Sequence, residues 1–163
     1  MKAFWSFVLA LILCVTATLQ AELPTKKVLT LGMAKKLVAA AEAEAKKRGA
    51  TVVIAVVDDG GQLILLERLD DTQVASVEVA IGKARTAAIF RRPSRVFEDQ
   101  VKNGRVAALA LPGATPLQGG IPITVDGKVI GAIGASGNSP QEDEEIALAG
   151  EAVTATAAQE DGR

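Results

Sequence analysis

Three observations in the 163-residue sequence predict an α+β fold, one mainly antiparallel sheet with helices packed over it. Asp126-Gly127 stands between IPITV and KVIGAIGAS, and an Asp-Gly pair between two apolar runs is the strongest short hairpin signal. TVVIAVV and QLILLERL flank a second turn, DDGG, so residues 51–69 read as another hairpin. The element order is helix, hairpin, two helices, strand, hairpin, helix, which sets antiparallel pairs among helices instead of alternating single strands with them.

The chain opens with Lys2, an apolar run from Phe7 to Val15, and small and polar residues up to Ala21, ahead of the first acid, Glu22. A charged start, an apolar stretch too short to span a bilayer and a small residue before the cut make residues 1–21 a secretory signal cleaved after Ala21. Leu13 stands where a lipoprotein signal needs a small residue before Cys14, which argues against lipidation. Residues 22–163 are then expected to form one exported domain, in a periplasm or outside the cell, with enough chain for a single core.

LTLGMAKKLVAAAEAEAKKRG reads as the first helix, capped by Thr30, terminated by Gly49 and burying Ala34, Leu37, Val38, Ala41 and Ala45. The first strand of the 51–69 hairpin is apolar throughout, as a strand covered on both faces would be. After Asp70 and Asp71, TQVASVEVAIGKARTAAIF forms a helix whose Ala80, Ala84, Ala87 and Ala88 permit close approach to a sheet, and Pro93 ends it. Ser94 is read as the cap of a short helix to Asn103, stopped by Gly104, and VAALAL as a further strand. Ser139-Pro140-Gln141-Glu142 has the form of a capping box that opens a last helix burying Ile146, Ala149, Val153 and Ala157. The tail from Gln159 to Arg163 is left loose.

Composition excludes more than it suggests. The net charge is −1, and loss of Lys2 makes it more acidic, which argues against a nucleic-acid partner. The sequence has no His and no Tyr, and Cys14 and Trp5 leave with the signal. Ser-His-Asp and Cys-His catalysis, disulfides, and zinc sites built from His and Cys are therefore ruled out for the mature domain. Chemistry must come from Lys, Arg, carboxylates, amides, hydroxyls and backbone groups.

The segment GGIPITVDGKVIGAIGASG places Gly131, Gly134 and Gly137 at a GxxGxxG spacing that matches neither the dinucleotide nor the P-loop pattern. The next helix opens with Glu142 to Glu145, acids that complement its dipole and repel a phosphate. Strand alternation puts Gly131 and Gly137 on one face and Gly134 on the other. Bare backbone inside a strand means that a helix, another subunit or a ligand lies close against it.

SVEVAIGKARTAAIFRRPS, LPGATPLQGGIPITVDGKVIGAIGASG and SPQEDEEIA, in that order, resemble the GlcG/HbpS haem-binding family, which is also similar to the C-terminal domain of PduO-type corrinoid adenosyltransferases. The likeness runs from Leu29 to about Val153. It implies a profilin-like fold with a five-stranded antiparallel sheet, larger homo-oligomeric assemblies, and binding of haem or a related ligand. It also implies export beside a sensor protein for some members and a link to haem breakdown for others. The histidine ligand to iron that the resemblance implies has no counterpart in a chain without His, and Met33 is the one soft ligand left after export.

The expected ligand-binding residues are Lys83 and Arg85, from their place in the family-like helix motif, Thr115, Gly119 and Gly120 of the loop, where bare backbone permits close approach to a flat ligand, and Ser136 and Gly137 at the end of the last strand, where donors often line a pocket. Two other readings stay open at this level: an enzyme acting on a small acid or carbonyl compound through a desolvated Lys83, and an assembly module whose glycine-rich face meets another subunit or a membrane sensor. Asp58 and Asp59 read as turn residues before Gly60-Gly61, and Arg91 and Arg92 as solvated cations at a helix end.

Overall fold

The computed structural model describes residues 23–155, so the signal over 1–21, Ala157 and the 159–163 tail lie outside the described residues. Thr30 accepts the Met33 N–H and starts α1 (Leu31–Arg48), and Gly49 in the left-handed region ends it. The hairpin β1 (Val53–Asp58) and β2 (Leu63–Arg68) follows, with Asp58 Oδ1 accepting the Gly60 and Gln62 N–H groups in the turn. Then come α2 (Ser76–Phe90), α3 (Arg95–Lys102), a 3₁₀ turn over Val106–Ala110, the hairpin β3 (Gly120–Val125) and β4 (Lys128–Ser136), and α4 (Pro140–Glu151).

The sheet is antiparallel in the order β2-β1-β4-β3, with four strands among the described residues where five were expected. VAALAL, read as a strand, forms the 3₁₀ turn instead. Only Ala108 of that run is buried, while Val106 and Leu109 remain exposed at 65% and 61%. An apolar run that turns one small side chain inward cannot supply the alternating face a sheet strand needs. The other expectations for β1 and α1 hold: Val53 to Val57 are fully buried, and the five named α1 residues form its inner face. No helix among the described residues is long and apolar enough to cross a membrane.

Two layers cover the sheet. Leu37, Val38 and Ala41 of α1 join Ile146 and Ala147 of α4 over Val52, Ile54, Val56, Ile123 and Ile133. On the other face, Ala80, Ala84, Ala87 and Ala88 of α2 pack against Val53, Ala55, Val57 and Ala132. Strand register explains how α2 comes so close. Ala55 lies opposite Gly134, and Gly134 lies opposite Gly120, so the smallest residues of three strands form one row across the sheet. A Cβ at Gly134 would stand 2.5 Å from the Ala80 carbonyl oxygen and 2.7 Å from the Ala84 nitrogen, and one at Gly120 would collide with the Lys83 carbonyl. Of the three readings of this bare backbone, a helix, another subunit or a ligand, the structure gives the helix: the backbone of α2 fills the clearance.

Gly120→Ala and Gly134→Ala are each expected to lower the unfolding free energy by about 2 kcal/mol, because overpacking against backbone has no flexible neighbour to give way. Gly32→Ala, whose new methyl would meet nothing nearer than 3.8 Å, should leave stability unchanged or slightly raised. Urea unfolding of the three variants checks this; a Gly134→Ala protein as stable as the parent would contradict it.

Candidate functional site

Lys83 sits on the third turn of α2, where the close approach of that helix carries its side chain past the end of β3 and β4 toward the opposite layer. Its ammonium donates to the Ala135 carbonyl oxygen at 3.0 Å and to Asp143 Oδ2 of α4 at 2.7 Å. Both side chains are sequestered, with exposures of 4% and 3%. The loop before β3 closes over this pair. Gly119 has φ +125°, and a Cβ there would come within 2.9 Å of Lys83 Nζ and 2.8 Å of the Ala135 oxygen, so only glycine suits both the backbone and the space. Its carbonyl accepts the Ala135 N–H at 3.0 Å.

A second polar group adjoins the first. Ser94 is wholly buried; its hydroxyl accepts the Gly120 N–H at 2.8 Å and donates to the Leu117 carbonyl at 2.6 Å. It precedes α3 as expected, but it has helical dihedrals and its side chain makes no capping bond, because that side chain is engaged by the loop. Gln118 donates its backbone N–H to Glu98 and its side-chain amide to Glu144, while Lys102 pairs with Glu98 and Arg95 reaches Glu144 at 3.4 Å. The result ties α2, α3, the 117–120 loop, β4 and α4 together through paired, buried polar groups, as burial of charge requires.

Of the expected ligand residues, the fold brings Lys83, Gly119, Gly120 and Ser136 to this centre, with Ser136 buried in register with Val53. Thr115 packs against Gly82, and its N–H is held by the Thr86 hydroxyl at 2.7 Å, so it locks the loop to α2. Arg85 points elsewhere and donates to the Gly61 carbonyl at 3.1 Å. Gly137 lies against the Thr51 carbonyl on the far side of β4. Met33 is half-buried on the rim of the α1 core, and Arg92 covers the ring of Phe97, which meets Phe90 at 4.9 Å.

Sequence reasoning missed Asp143, Glu144, Glu98, Gln118 and Ser94. The acid run was read as a dipole-complementing first turn, and Ser139 does open α4, accepting the Glu142 N–H. Yet Asp143, Ile146, Ala147 and Gly150 recur at i, i+3, i+4 and i+7 and are all buried, a spacing that marks Asp143 as inward-facing.

A second locus lies at the opposite end of the last hairpin, where a cleft of about 950 Å³ opens between residues 25–27, Asp59, Arg91 and residues 124–130. Lys26 pairs with Asp59 and Lys27 with Asp126. Val125, Val129 and Ile130 supply apolar lining. No group of three or more His, Cys, Asp or Glu side chains suited to a metal ion occurs among the described residues.

Burial pushes the Asp143 carboxyl above its ordinary range, against the pull of the Lys83 ammonium and the Asn138 N–H. Burial also acts upward on Glu98, but hydrogen bonds from Lys102 and the Gln118 N–H outweigh it and hold that carboxyl low. A raised folded value means that Asp143 gives up its proton less readily folded than unfolded, so ionising it as pH rises works against folding. Lys83→Met removes the main opposing charge and should cost about 3–5 kcal/mol at pH 7, the range for breaking a buried pair. The deficit should shrink as pH falls toward 5 and Asp143 takes up a proton. Lys83→Met/Asp143→Leu should recover much of the loss; urea unfolding of both variants at the two pH values measures this, and a double variant no more stable than Lys83→Met would contradict it.

Residues 29–152 match the family model described as haem degrading protein HbpS-like. Protein GlcG of Escherichia coli K12 is 46% identical over 112 residues, which is 69% of this chain and 84% of that protein. A crystal structure of a Streptomyces reticuli HbpS double mutant superposes with a TM-score of 0.76 at 33% identity, covering 85% of this chain and 94% of that one. The crystal structure of a PduOC–haem complex does so at 0.71 and 28% identity, covering 77% and 94%. With its family-wide match and its close relatives spanning most of their length, the chain belongs to the HbpS-like family.

Proposed function

We propose that this protein is an exported binder of haem or a related tetrapyrrole. The observation that carries the reading is its relation to the haem-bound PduOC structure across 94% of that chain, within a family described as haem-degrading. Binding is favoured over lysine chemistry because Lys83 Nζ is buried and already engaged by Asp143 and the Ala135 carbonyl. On this reading Lys83, Gly119, Gly120 and Ser136 hold the loop and the end of β4 in place, and Thr115 fixes the loop to α2.

The donor set fits such a ligand in part. The cleft at the last hairpin lies within the range of about 300–1,000 Å³ usual for cofactor sites, and it offers apolar lining and cations for carboxylates. It does not fit iron ligation by a strong donor: the sequence has no His or Tyr, its single Cys is Cys14, and Met33 is packed on the core rim. Bound haem would supply its own iron chemistry; the chain supplies a shaped, cationic surface.

Export, homo-oligomer formation and a sensor partner belong to the same proposal and rest on the signal-like 1–21 segment and the resemblance. Haemin titrated into purified protein is expected to shift its Soret absorption and saturate; a band that stays at its free position throughout would contradict the reading. Expressed in a bacterium with its own leader, the protein should be recovered from the envelope starting at Glu22. An unprocessed start at Met1 would remove export from the proposal.

A further inference from the structure

We propose that the cleft beside the last hairpin is a clamp for the two propionates of a porphyrin, and that it grips the macrocycle without regard to the iron. This rests on the tetrapyrrole reading above and adds its site and its basis of selection. The cleft is lined by four cations, Lys26, Lys27, Arg91 and Lys128, against two acids, Asp59 and Asp126. Both acids are already in ion pairs, with Lys26 and Lys27. Among the described residues Arg91 and Lys128 make no ion pair, so two cations remain for two carboxylates. Neither comes from a loose segment. Arg91 caps α2 in the left-handed region, its N–H bonded to Ala88, and Lys128 opens β4 directly after the Asp126-Gly127 turn. Val129, half-buried next to Lys128, gives a flat ring an apolar contact, while Ile130 behind it belongs to the core.

The iron finds no His, Tyr or Cys among the described residues, and the cleft's own nitrogen and carboxylate donors are taken up by the Lys26–Asp59 and Lys27–Asp126 pairs and, on this proposal, by the propionates. Among described residues the one thioether, Met33, packs against the α1 core, and the buried amine of Lys83 is held by Asp143. Selection then falls on ring shape and carboxylates, features that a metal-free porphyrin shares with haem. Removing the iron should change affinity little, and blocking the carboxylates should change it much.

The test uses the mature protein with haemin, metal-free protoporphyrin IX and the dimethyl ester of haemin, followed by porphyrin absorbance and fluorescence. The single tryptophan, Trp5, lies in the leader, so intrinsic tryptophan emission is not a usable signal. Haemin and protoporphyrin IX are expected to bind within about threefold of each other, and the ester at least tenfold more weakly. Arg91→Glu/Lys128→Glu should weaken both free acids by tenfold or more, as reversal of two cations implies. A control, Lys35→Glu/Lys36→Glu on the exposed face of α1, makes the same change in net charge and should leave binding unaltered. Unchanged affinity in the Arg91/Lys128 variant, or protoporphyrin IX binding more than tenfold below haemin, overturns the clamp while leaving the binding function standing. Failure of both porphyrins to bind the parent protein overturns the function itself.

Discussion

The contact between the α2 backbone and the row Ala55-Gly134-Gly120 is the constraint from which the other features follow. A helix ordinarily stands off a sheet by the thickness of two side-chain layers. Here three strands offer almost none along one line, and α2 answers with Ala80 and Ala84. The gain is dispersion contact between backbones that fit at close range, and its cost is intolerance of a single added methyl. Because α2 lies so low, the Lys83 side chain reaches the far layer and ends beside Asp143 on α4.

That ion pair links helices on opposite faces of the sheet, something hydrophobic packing alone could not do across an intact β-layer. A buried pair of this kind contributes little net stability relative to an apolar replacement, but it fixes geometry because every partner must be in place. The Ala135 carbonyl, the Gly119 turn and the Ser94 hydroxyl share the same space, so the 117–120 loop has one permitted path. The rigid end of the sheet is thus polar and closed. The opposite end, at the Asp126-Gly127 turn, is open and lined with cations, so an anionic guest proposed there would meet a smaller desolvation penalty.

Much of the architecture was legible in the sequence because its signals are local. Thr30 and Gly49, the Asp-Gly turn, Ser139-Pro140 and the alanine stripe of α2 each declare an element within a few residues. VAALAL misled because a short apolar run carries no information on whether both of its faces will find cover. The site was half legible. Lys83, Gly119 and Gly120 stood out by residue type, but their partners are set by tertiary contact: Glu98 and Gln118 are twenty residues apart, and Lys83 and Asp143 sixty. The glycines announced a close approach without saying what approaches, and the answer was the chain's own helix. The cleft was not legible, since its cations come from the 25–27 segment, the end of α2 and the last hairpin.

A closed scaffold, built by glycine and a buried ion pair, thus stands apart from an open cleft, the proposed ligand face. A crystal structure of the haemin-saturated protein tests that division most directly. It should show the macrocycle against β4 at the last hairpin, with its carboxylates near Arg91 and Lys128 and no protein sulfur or nitrogen bonded to the iron. A macrocycle seated between α2 and the Gly134 row, or iron bonded to Met33 or Lys83, would contradict it.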